Sequence, residues 1–341
     1  MLVKNIPIFQ GFPSIETVKK LSKATAVSGK FSPVFYDIET TGLSRYSTFL
    51  YLVGAIWNQN GSWQLRQWMA EDPSEEQAVL EAFCAFLKDF SCTIQYNGDA
   101  FDQPYLESRL QVHGLSSPFA DLPSLDLYKK IKPLKGLLKL PGLKQGDIEH
   151  FLHIKKRDYC NGGQCIRLYQ KYLTSRSPEL LAEVMGHNQE DLLGLGRVFE
   201  MLSYLCLLDG RYLCTEAQAL EGQLILRLEL PHALPAEFSN GNEELYITGC
   251  QKRVSLSSQI ICGRVRQHYA NYKDYDYIPA EDTAIPKVLS RFMDRSLRQS
   301  ATLDTSYTWF PCTDDFLSDS QKQMQFLHHA LNYLCRTLNR H

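Results

Sequence analysis

The sequence predicts an α/β protein, and the order of its secondary-structure patterns supports this prediction. Three β-rich runs come first, at residues 33–39, 49–57 and 62–70. Helical patterns interleaved with one more strand follow as far as residue 207, which is typical of helices packed on a sheet. We therefore expect an N-terminal extension, an α/β domain, and a smaller α+β domain whose role the sequence does not indicate, over residues 1–30, 31–208 and 209–341.

Capping and turn residues delimit the remaining elements of the first 208 residues. Helices are predicted at 14–24, 74–89, 103–114, 124–131, 145–153, 163–174, 178–185 and 189–207, with a strand at 92–96. Ser14 and Ser74 are expected to be the N-caps of the first two helices. The stretch "NQNG" predicts a hairpin between the second and third β-rich runs, and Asn97-Gly98 predicts the turn before the third helix.

The pattern changes beyond residue 210. Short strands are predicted at 223–231, 244–250, 251–258 and 259–269, and helical patterns at 283–299 and 318–339. The stretch "EDTA" is expected to begin a helix, with Asp282 or Thr283 as its cap. In "RQHYANYKDYDY", residues 266–277, tyrosines lie among basic residues; half-buried tyrosines on a sheet are the ordinary interpretation, and stacking of nucleic-acid bases is the alternative.

Composition narrows the class of protein. The 341 residues are 44% hydrophobic and 22% charged, which is typical of a soluble globular protein. Apolar runs stay shorter than the roughly 20 residues that span a bilayer, and the first residues lack the features of a signal peptide, so we expect a cytoplasmic protein without a membrane segment. The ten cysteines form no Cys-x-x-Cys pair, which indicates free thiols. Because the net charge is −2, any contact with nucleic acid requires a local basic patch.

The stretch "VFYDIETTGL" ends a buried strand on two acids. Residues two apart on a strand point to the same face, so Asp37 and Glu39 are expected to lie side by side. Two such carboxylates repel each other unless a cation lies between them or one of them is protonated. The pair therefore belongs either to a solvated turn or to a metal site.

Two further segments place acids beside predicted helix starts. In "NGDAFDQPYL", Asp102 lies where a strand gives way to a helix, and it either contributes to a site or caps that helix. In "GHNQEDLLGL", Asn188 is a possible N-cap, and Asp191 would then be favoured in the first turn by the helix dipole. His187 shares a face with Asp191 if the helix extends back that far.

Together these segments resemble one group of enzymes. The stretch "DIETTGL" resembles the first motif of the DEDD-type 3′→5′ exonucleases, which have a ribonuclease H-like fold. Asn97, Phe101 and Asp102 resemble the second motif, and residues 187–191 resemble the third. Over residues 31–205, including "SLDLY" at 124–128, the chain is more closely similar to a bacterial branch described as ribonuclease H-like domain proteins or predicted exonucleases. The resemblance implies a ribonuclease H-like mixed sheet flanked by helices.

The resemblance also implies the chemistry. Asp37, Glu39, Asp102 and Asp191 would hold two divalent ions and, with His187, would be catalytic. Four carboxylates balance two divalent cations, and hard oxygen ligands suit Mg²⁺ or Mn²⁺ better than zinc. Two such ions would activate the attacking water and stabilise the leaving 3′-oxygen, so the expected enzyme is a two-metal hydrolase of phosphodiester bonds.

His187 departs from the family pattern. Four residues normally separate the base from the aspartate in the histidine subgroup of these exonucleases, and three do so in the tyrosine subgroup. Here a histidine occupies the tyrosine spacing, which presents the ring to the cluster from another angle. His187 is the candidate general base, with a purely orienting role as the alternative, and Glu190 is the substitute acid if the register shifts by one.

Candidate contacts to the substrate come from the motifs and from a basic stretch. Residues 129–144 contain six lysines and no acid, and "KKR" follows at 155–157; such stretches either bind phosphates or form a solvated face. The substrate-binding candidates are Thr40, Asn97, Phe101, Lys129, Lys130, Lys132 and Lys135.

The predicted function is therefore a divalent-metal-dependent 3′→5′ exonuclease acting on a single-stranded 3′ end of DNA or RNA. A metal-dependent endonuclease is the alternative enzyme, because the same fold and metals serve both activities. A non-catalytic nucleic-acid-binding or scaffold protein is the third hypothesis. Phosphate-binding glycine loops, dinucleotide fingerprints and G-x-S-x-G elbows are missing from the sequence, which excludes those classes.

Overall fold

The computed structural model describes residues 1–22, 31–155 and 162–340. The chain divides into two compact units, the first formed by Met1–Lys130 and Leu143–Leu202 and the second by Ile131–Gly142 and Ser203–His341. Lys156 and Arg157 of the "KKR" stretch lie outside the described residues. The assignment of 31–208 and 209–341 as separate domains stays a prediction.

A mixed six-stranded sheet forms the first unit. Its strands are β1 (Leu2–Ile8), β2 (Pro33–Thr40), β3 (Leu50–Gln59), β4 (Ser62–Met69), β5 (Cys92–Gln95) and β6 (Ser124–Asp126). Their order is β1-β4-β3-β2-β5-β6; β2, β5 and β6 run parallel, and the other neighbours are antiparallel. This sheet confirms the three predicted β-rich runs and the strand at 92–96. The hairpin between β3 and β4 is also confirmed, since Asn60 and Gly61 both have the positive φ that such a turn requires.

Helices cover both faces of this sheet. The helices between residues 1 and 202 are α1 (Ile15–Leu21), α2 (Glu76–Leu87), α3 (Asp102–Val112), α4 (Leu127–Ile131), α5 (Gln145–Phe151), α6 (Gly162–Ser175) and α7 (Pro178–Phe199), and α2, α3, α6 and α7 pack on the sheet. One face of β2 presents Tyr36 and Ile38 to a core that includes Phe83 of α2 and Tyr105 of α3. The opposite face of the sheet packs against α6 and α7, where Tyr51 of β3 stacks on Tyr169 at a ring distance of 4.0 Å.

Three predictions for this unit are corrected. Asp72, and not Ser74, caps the start of the α2 region: its carboxylate accepts the Ser74 amide, and a 3-10 turn leads into the helix. Residues 124–126 form a strand instead of the start of a helix, because they pair with β5. The helices predicted at 178–185 and 189–207 are one continuous helix, α7, up to Phe199, because Asn188 is fully buried at its middle and does not cap a helix start.

A buried ion pair fixes α3 beside α2 and β3. Glu76 of α2 accepts hydrogen bonds from the guanidinium of Arg109, at 2.6 and 2.7 Å, from the Leu50 amide and from the His113 ring. Burial alone would raise the pKa of Glu76, but these hydrogen bonds hold it below its ordinary value. Arg109 lies in the last turn of α3 and His113 caps its end, so their bonds to Glu76 help to fix the direction of the helix that begins at Asp102.

Antiparallel sheets and one long helix form the second unit. Its helices and strands are α8 (Leu205–Leu208), β7 (Leu213–Leu220), β8 (Gln223–Glu229), β9 (Phe238–Gly241), β10 (Leu245–Cys250), β11 (Arg253–Gln259), β12 (Arg264–His268), β13 (Tyr275–Ile278), β14 (Thr283–Pro286), α9 (Lys287–Ser290), β15 (Gln299–Ser300), β16 (Tyr307–Pro311), α10 (Asp314–Ser318) and α11 (Ser320–Leu338). One sheet has the order β7-β8-β11-β10-β9; β12 pairs with β16, and β13 lies between β14 and β15.

The prediction of a helix over 283–299 is wrong, whereas the helix at 318–339 is confirmed as α11. Asp282 has a φ of +49° and forms the turn before β14, where it accepts a hydrogen bond from the Tyr277 hydroxyl at 2.6 Å. Thr283 then begins a strand that pairs with β13, and not a helix. The tyrosines of residues 266–277 are half-buried, as the ordinary interpretation expects.

None of the described helices is both long enough and apolar enough to cross a membrane. No disulfide joins two of the cysteines within the described ranges, which agrees with the prediction; Cys160 lies outside those ranges.

Candidate metal centre

Strand β2 presents two acids to the face of the sheet that packs on α7. Phe35 on the same face meets Phe199 of α7 at a ring distance of 5.6 Å, and Asp37 and Glu39 follow it at every second residue. Asp37 is half-buried and Glu39 is buried. The expectation that the two carboxylates lie side by side is confirmed, since their oxygens approach within 4.8 Å of each other.

Asp102 is the first residue of α3, and its carboxyl group is buried. The N-cap position belongs to Phe101, which makes no side-chain capping bond, so the capping alternative for Asp102 is wrong. The loop before the helix is held by Asp126 of β6, whose carboxylate accepts the amides of Asn97 and Asp99 at 2.8 and 3.3 Å. Asn97 has a φ of +59°, and these bonds help to hold this left-handed conformation.

Helix α7 carries His187 and Asp191 on one face, as expected for residues four apart. The Nε2 atom of His187 lies 3.6 Å from an oxygen of Asp191 and 3.6 Å from Oε1 of Glu39. Both distances exceed a hydrogen bond, so the ring stands beside the carboxylates without being bound tightly to either. The exposed fraction of the side chain is 41% for Asp191 and 10% for Glu39, so Asp191 is the more solvent-exposed of these two acids.

The acids form one electrostatic cluster. Carboxylate oxygens of Asp37, Glu39 and Asp191 all lie within 4.8 Å of one another, and the charge of Asp102 raises the pKa of both Asp37 and Glu39. Burial and the charge of Asp191 raise the pKa of Glu39 to about 8. Burial also raises the pKa of Asp102 to about 7, and burial together with repulsion from the other three acids raises that of Asp37 well above its ordinary value.

Asn188 connects this cluster to the sheet, a role that the sequence did not reveal. Its side-chain amide donates to Oδ2 of Asp37 at 2.9 Å, and its carbonyl oxygen accepts from the buried Gln67 of β4 at 3.0 Å. Asp37 pairs with Gly54 of β3, and a Cβ atom at Gly54 would lie 2.1 Å from the Asn188 oxygen. The absence of a side chain at Gly54 therefore lets Asn188 reach Asp37.

The cluster opens into a cavity of about 920 Å³. Asp37, Glu39, Asp102, His187 and Asp191 line this cavity, and so do the predicted substrate contacts Asn97 and Phe101. The cavity also has three lining residues with basic side chains that sequence reasoning did not select, His153, Lys155 and Arg197. Of these three residues, only Lys155 belongs to a sequence motif, "KKR" at 155–157, that indicated possible phosphate binding.

The remaining predicted contacts lie elsewhere. Thr40 is buried and donates its hydroxyl to the Gly42 carbonyl at 2.8 Å. The described residues that line the cavity do not include Lys129, Lys130, Lys132 or Lys135. Lys129 forms a salt bridge with Asp99 at 2.5 Å, and Lys132 and Lys135 belong to the second unit. A role for these lysines in binding substrate stays a prediction.

The donor set fits hard divalent cations. Burial and mutual repulsion make the ionised cluster unfavourable without compensating charge, and the donors of the cluster are carboxylate oxygens, which suit Mg²⁺ or Mn²⁺. Asp37, Glu39, Asp102 and Asp191 are the residues that would hold such ions, while Asn188 would fix the orientation of Asp37.

The fold and this acidic site define the class of domain. Residues 34–203 match the family model of the RNase_H superfamily, so this part of the chain is a ribonuclease H-like domain. Nucleases of that superfamily are hydrolases that use divalent metals.

Part of this chain is similar to part of each of two individual proteins. The protein YprB of Bacillus subtilis (strain 168), which is described as uncharacterised, is 26% identical over 165 residues; these make up 47% of this chain and 39% of that protein. The chain thus matches well under half of its relative. The family B DNA polymerase of the hyperthermophilic archaeon Pyrobaculum calidifontis is 16% identical, with a TM-score of 0.43 over 54% of this chain and 26% of the polymerase.

Replacing Asn188 by alanine tests its link to the cluster. We expect the affinity for Mn²⁺, measured by calorimetric titration of the EDTA-treated protein, to fall by roughly 10- to 100-fold because Asp37 loses the donor that orients it. Gln189→Ala, one residue further along α7, is the control and retains the affinity. Equal affinity of both variants, with unfolding temperatures like that of the wild type, would contradict this role.

Proposed function

We propose that this protein is a divalent-metal-dependent nuclease that hydrolyses phosphodiester bonds of DNA or RNA from the 3′ end, using two Mg²⁺ or Mn²⁺ ions. The observation that carries the proposal is the convergence of four carboxylates, from β2, α3 and α7, on one cavity. The ribonuclease H-like domain supports nuclease activity in general. The 3′→5′ direction rests on the resemblance of the three acidic motifs to the DEDD exonucleases.

Electrostatics favours a metal-dependent nuclease over a protein that binds nucleic acid without metal ions. A phosphodiester is an anion, and it is repelled by Asp37, Glu39, Asp102 and Asp191 unless cations neutralise them. Bound divalent cations would supply this neutralisation and would polarise the scissile phosphate and the attacking water. Lys155 and Arg197 also line the cavity, and their positive charges suit the scissile phosphate and the phosphates on its 5′ side.

The protein's own residues have separate roles in this proposal. Asp37 is held by Asn188, and Glu39 lies near the Tyr51 hydroxyl at 3.4 Å, so both carboxylates keep fixed orientations. His187 lines the cavity between Glu39 and Asp191, where a neutral imidazole accepts a proton from the attacking water. Asn97 and Phe101 are the proposed contacts to the terminal nucleotide, because they line the same cavity beside Asp102.

The direct test follows single-stranded DNA and RNA labelled at either end, incubated with Mn²⁺, Mg²⁺ or EDTA. We expect metal-dependent shortening from the 3′ end, and a loss of at least about 10³-fold in rate for Asp37→Asn, since stabilisation of several kcal/mol depends on the bound ions. Asp89→Asn, at an exposed acid beyond the end of α2, is the matched control and keeps the wild-type rate.

Other outcomes distinguish the alternatives. Internal fragments that appear before any shortening would favour an endonuclease using the same residues. Retained binding of the labelled strands without cleavage, under every metal condition, would favour a non-catalytic nucleic-acid-binding or scaffold protein. Comparison of the DNA and RNA rates identifies the substrate, because discrimination depends on contacts to the 2′-hydroxyl.

His187→Gln tests the proposed proton acceptor. We expect kcat to fall by about 10² to 10⁴, as for loss of a general base, while the affinity for Mn²⁺ changes little. His150→Gln, at an exposed histidine of α5, is the control and retains full activity. A decrease of less than tenfold for His187→Gln would assign this ring an orienting role only.

A further inference from the structure

A cysteine that the proposed reaction does not use lies next to the acidic cluster. Cys165 of α6 is fully buried, and its sulfur lies within 4.8 Å of ligand atoms of both Glu39 and His187, which in turn lie within 4.8 Å of each other. Helix α6 packs its Cys165 and Tyr169 against Tyr51 of β3 in one core. The thiol is therefore held by the fold beside two residues of the candidate metal centre.

These three residue types are a ligand set for a softer metal. A thiolate, an imidazole nitrogen and a carboxylate oxygen are the donors that Zn²⁺ takes in proteins, whereas Mg²⁺ and Mn²⁺ favour oxygen. Tetrahedral zinc with ordinary bond lengths places neighbouring ligand atoms about 3.3 to 3.6 Å apart. Nε2 of His187 and Oε1 of Glu39 are already 3.6 Å apart, so these two ligands need almost no adjustment.

The two carboxylate oxygens of Glu39 have different neighbours, and Tyr51 is the neighbour of Oε2. Its hydroxyl lies 3.4 Å from Oε2 of Glu39 and 3.5 Å from the Cys165 sulfur, next to the stacked ring of Tyr169. Oε2 is thereby associated with Tyr51, and Oε1 is the oxygen that faces His187. Oε1 is therefore the Glu39 oxygen that would bind a metal together with Nε2 of His187.

We propose that Cys165, His187 and Glu39 form a second metal site, which binds Zn²⁺ with a water molecule from the cavity as the fourth ligand. Zinc at this site withdraws Glu39 from the carboxylate cluster and His187 from proton transfer. Zn²⁺ is therefore an inhibitor that competes with Mg²⁺ or Mn²⁺ for a shared carboxylate. The binding site stands on its own geometry, whereas the inhibition rests on the proposed nuclease function.

Co²⁺ absorption tests the site without any assay of activity, because a cobalt–thiolate bond gives a charge-transfer band in the near ultraviolet. EDTA-treated wild type titrated with Co²⁺ is expected to develop this band, and one equivalent of Zn²⁺ is expected to remove it. Cys165→Ser and His187→Gln should lower the cobalt affinity by at least about tenfold. Cys84→Ser, at a half-buried cysteine of α2, is the control and should leave the band intact.

Unchanged cobalt spectra in Cys165→Ser, with an unfolding temperature like that of the wild type, would overturn the proposed site. Cys165→Ala provides a second variant, so that a folding defect in one of them does not decide the result. Because Cys250 and Cys262 are exposed, added Co²⁺ has access to their thiols as well, so the difference between wild type and variant is the quantity to compare.

Inhibition is then measured as the Zn²⁺ concentration that halves Mn²⁺-dependent cleavage. We expect Cys165→Ala to keep the basal rate and to require at least about tenfold more Zn²⁺ than the wild type. Equal sensitivity of wild type and variant would overturn the inhibitory role. A wild type that shows the cobalt band but cleaves no strand would refute the proposed nuclease function and support the zinc site.

Discussion

Repulsion among four acids brought to one cavity is the constraint on which the arrangement of the first unit depends. Asp37, Glu39, Asp102 and Asp191 come from three elements that are distant in sequence. Burial raises the pKa of the first three, and the charges of the other acids of the cluster raise the pKa of Asp37 and Glu39 further. Such a cluster opposes folding when it is ionised, so other interactions must hold its backbone in place. The hydrogen bond from Asn188 is the most direct of these, because it joins α7 to β2.

The same cluster explains why the surrounding residues are polar and buried. Asp126 holds the loop that precedes α3, and the ion pair of Glu76 and Arg109 holds α3 further along its length. Gln67 of β4 donates a hydrogen bond to Asn188. Each of these buried groups has a partner that also positions a member of the cluster. A rigid polar frame of this kind keeps four like charges converged until cations bind, which is the preorganisation that metal-assisted catalysis requires.

Local patterns in the sequence predicted much of this structure. The β-rich composition of residues 33–39 and the Asp-x-Glu spacing placed Asp37 and Glu39 side by side on a strand, and the helical pattern at 318–339 predicted α11. The continuity of α7 was missed, because Asn188 resembles a cap locally, while its actual partners, Asp37 and Gln67, are distant in sequence. Strand β1 was missed for a similar reason: its pairing with β4 spans some sixty residues. Contacts between residues far apart in sequence determine the continuity of α7 and the presence of β1, and local propensity does not reveal such contacts.

The unfolding temperature of the metal-free protein as a function of pH tests the central claim most directly. The raised pKa values mean that the folded cluster keeps protons which the unfolded chain has already lost. The contribution of the cluster to stability is therefore fully present below about pH 4 and is lost as the pH rises to about 8. Mn²⁺ should restore the lost stability at pH 8, and Glu39→Gln should flatten the decline. An unfolding temperature that is constant over this range, or that Mn²⁺ leaves unchanged at pH 8, would contradict a cluster built to bind cations.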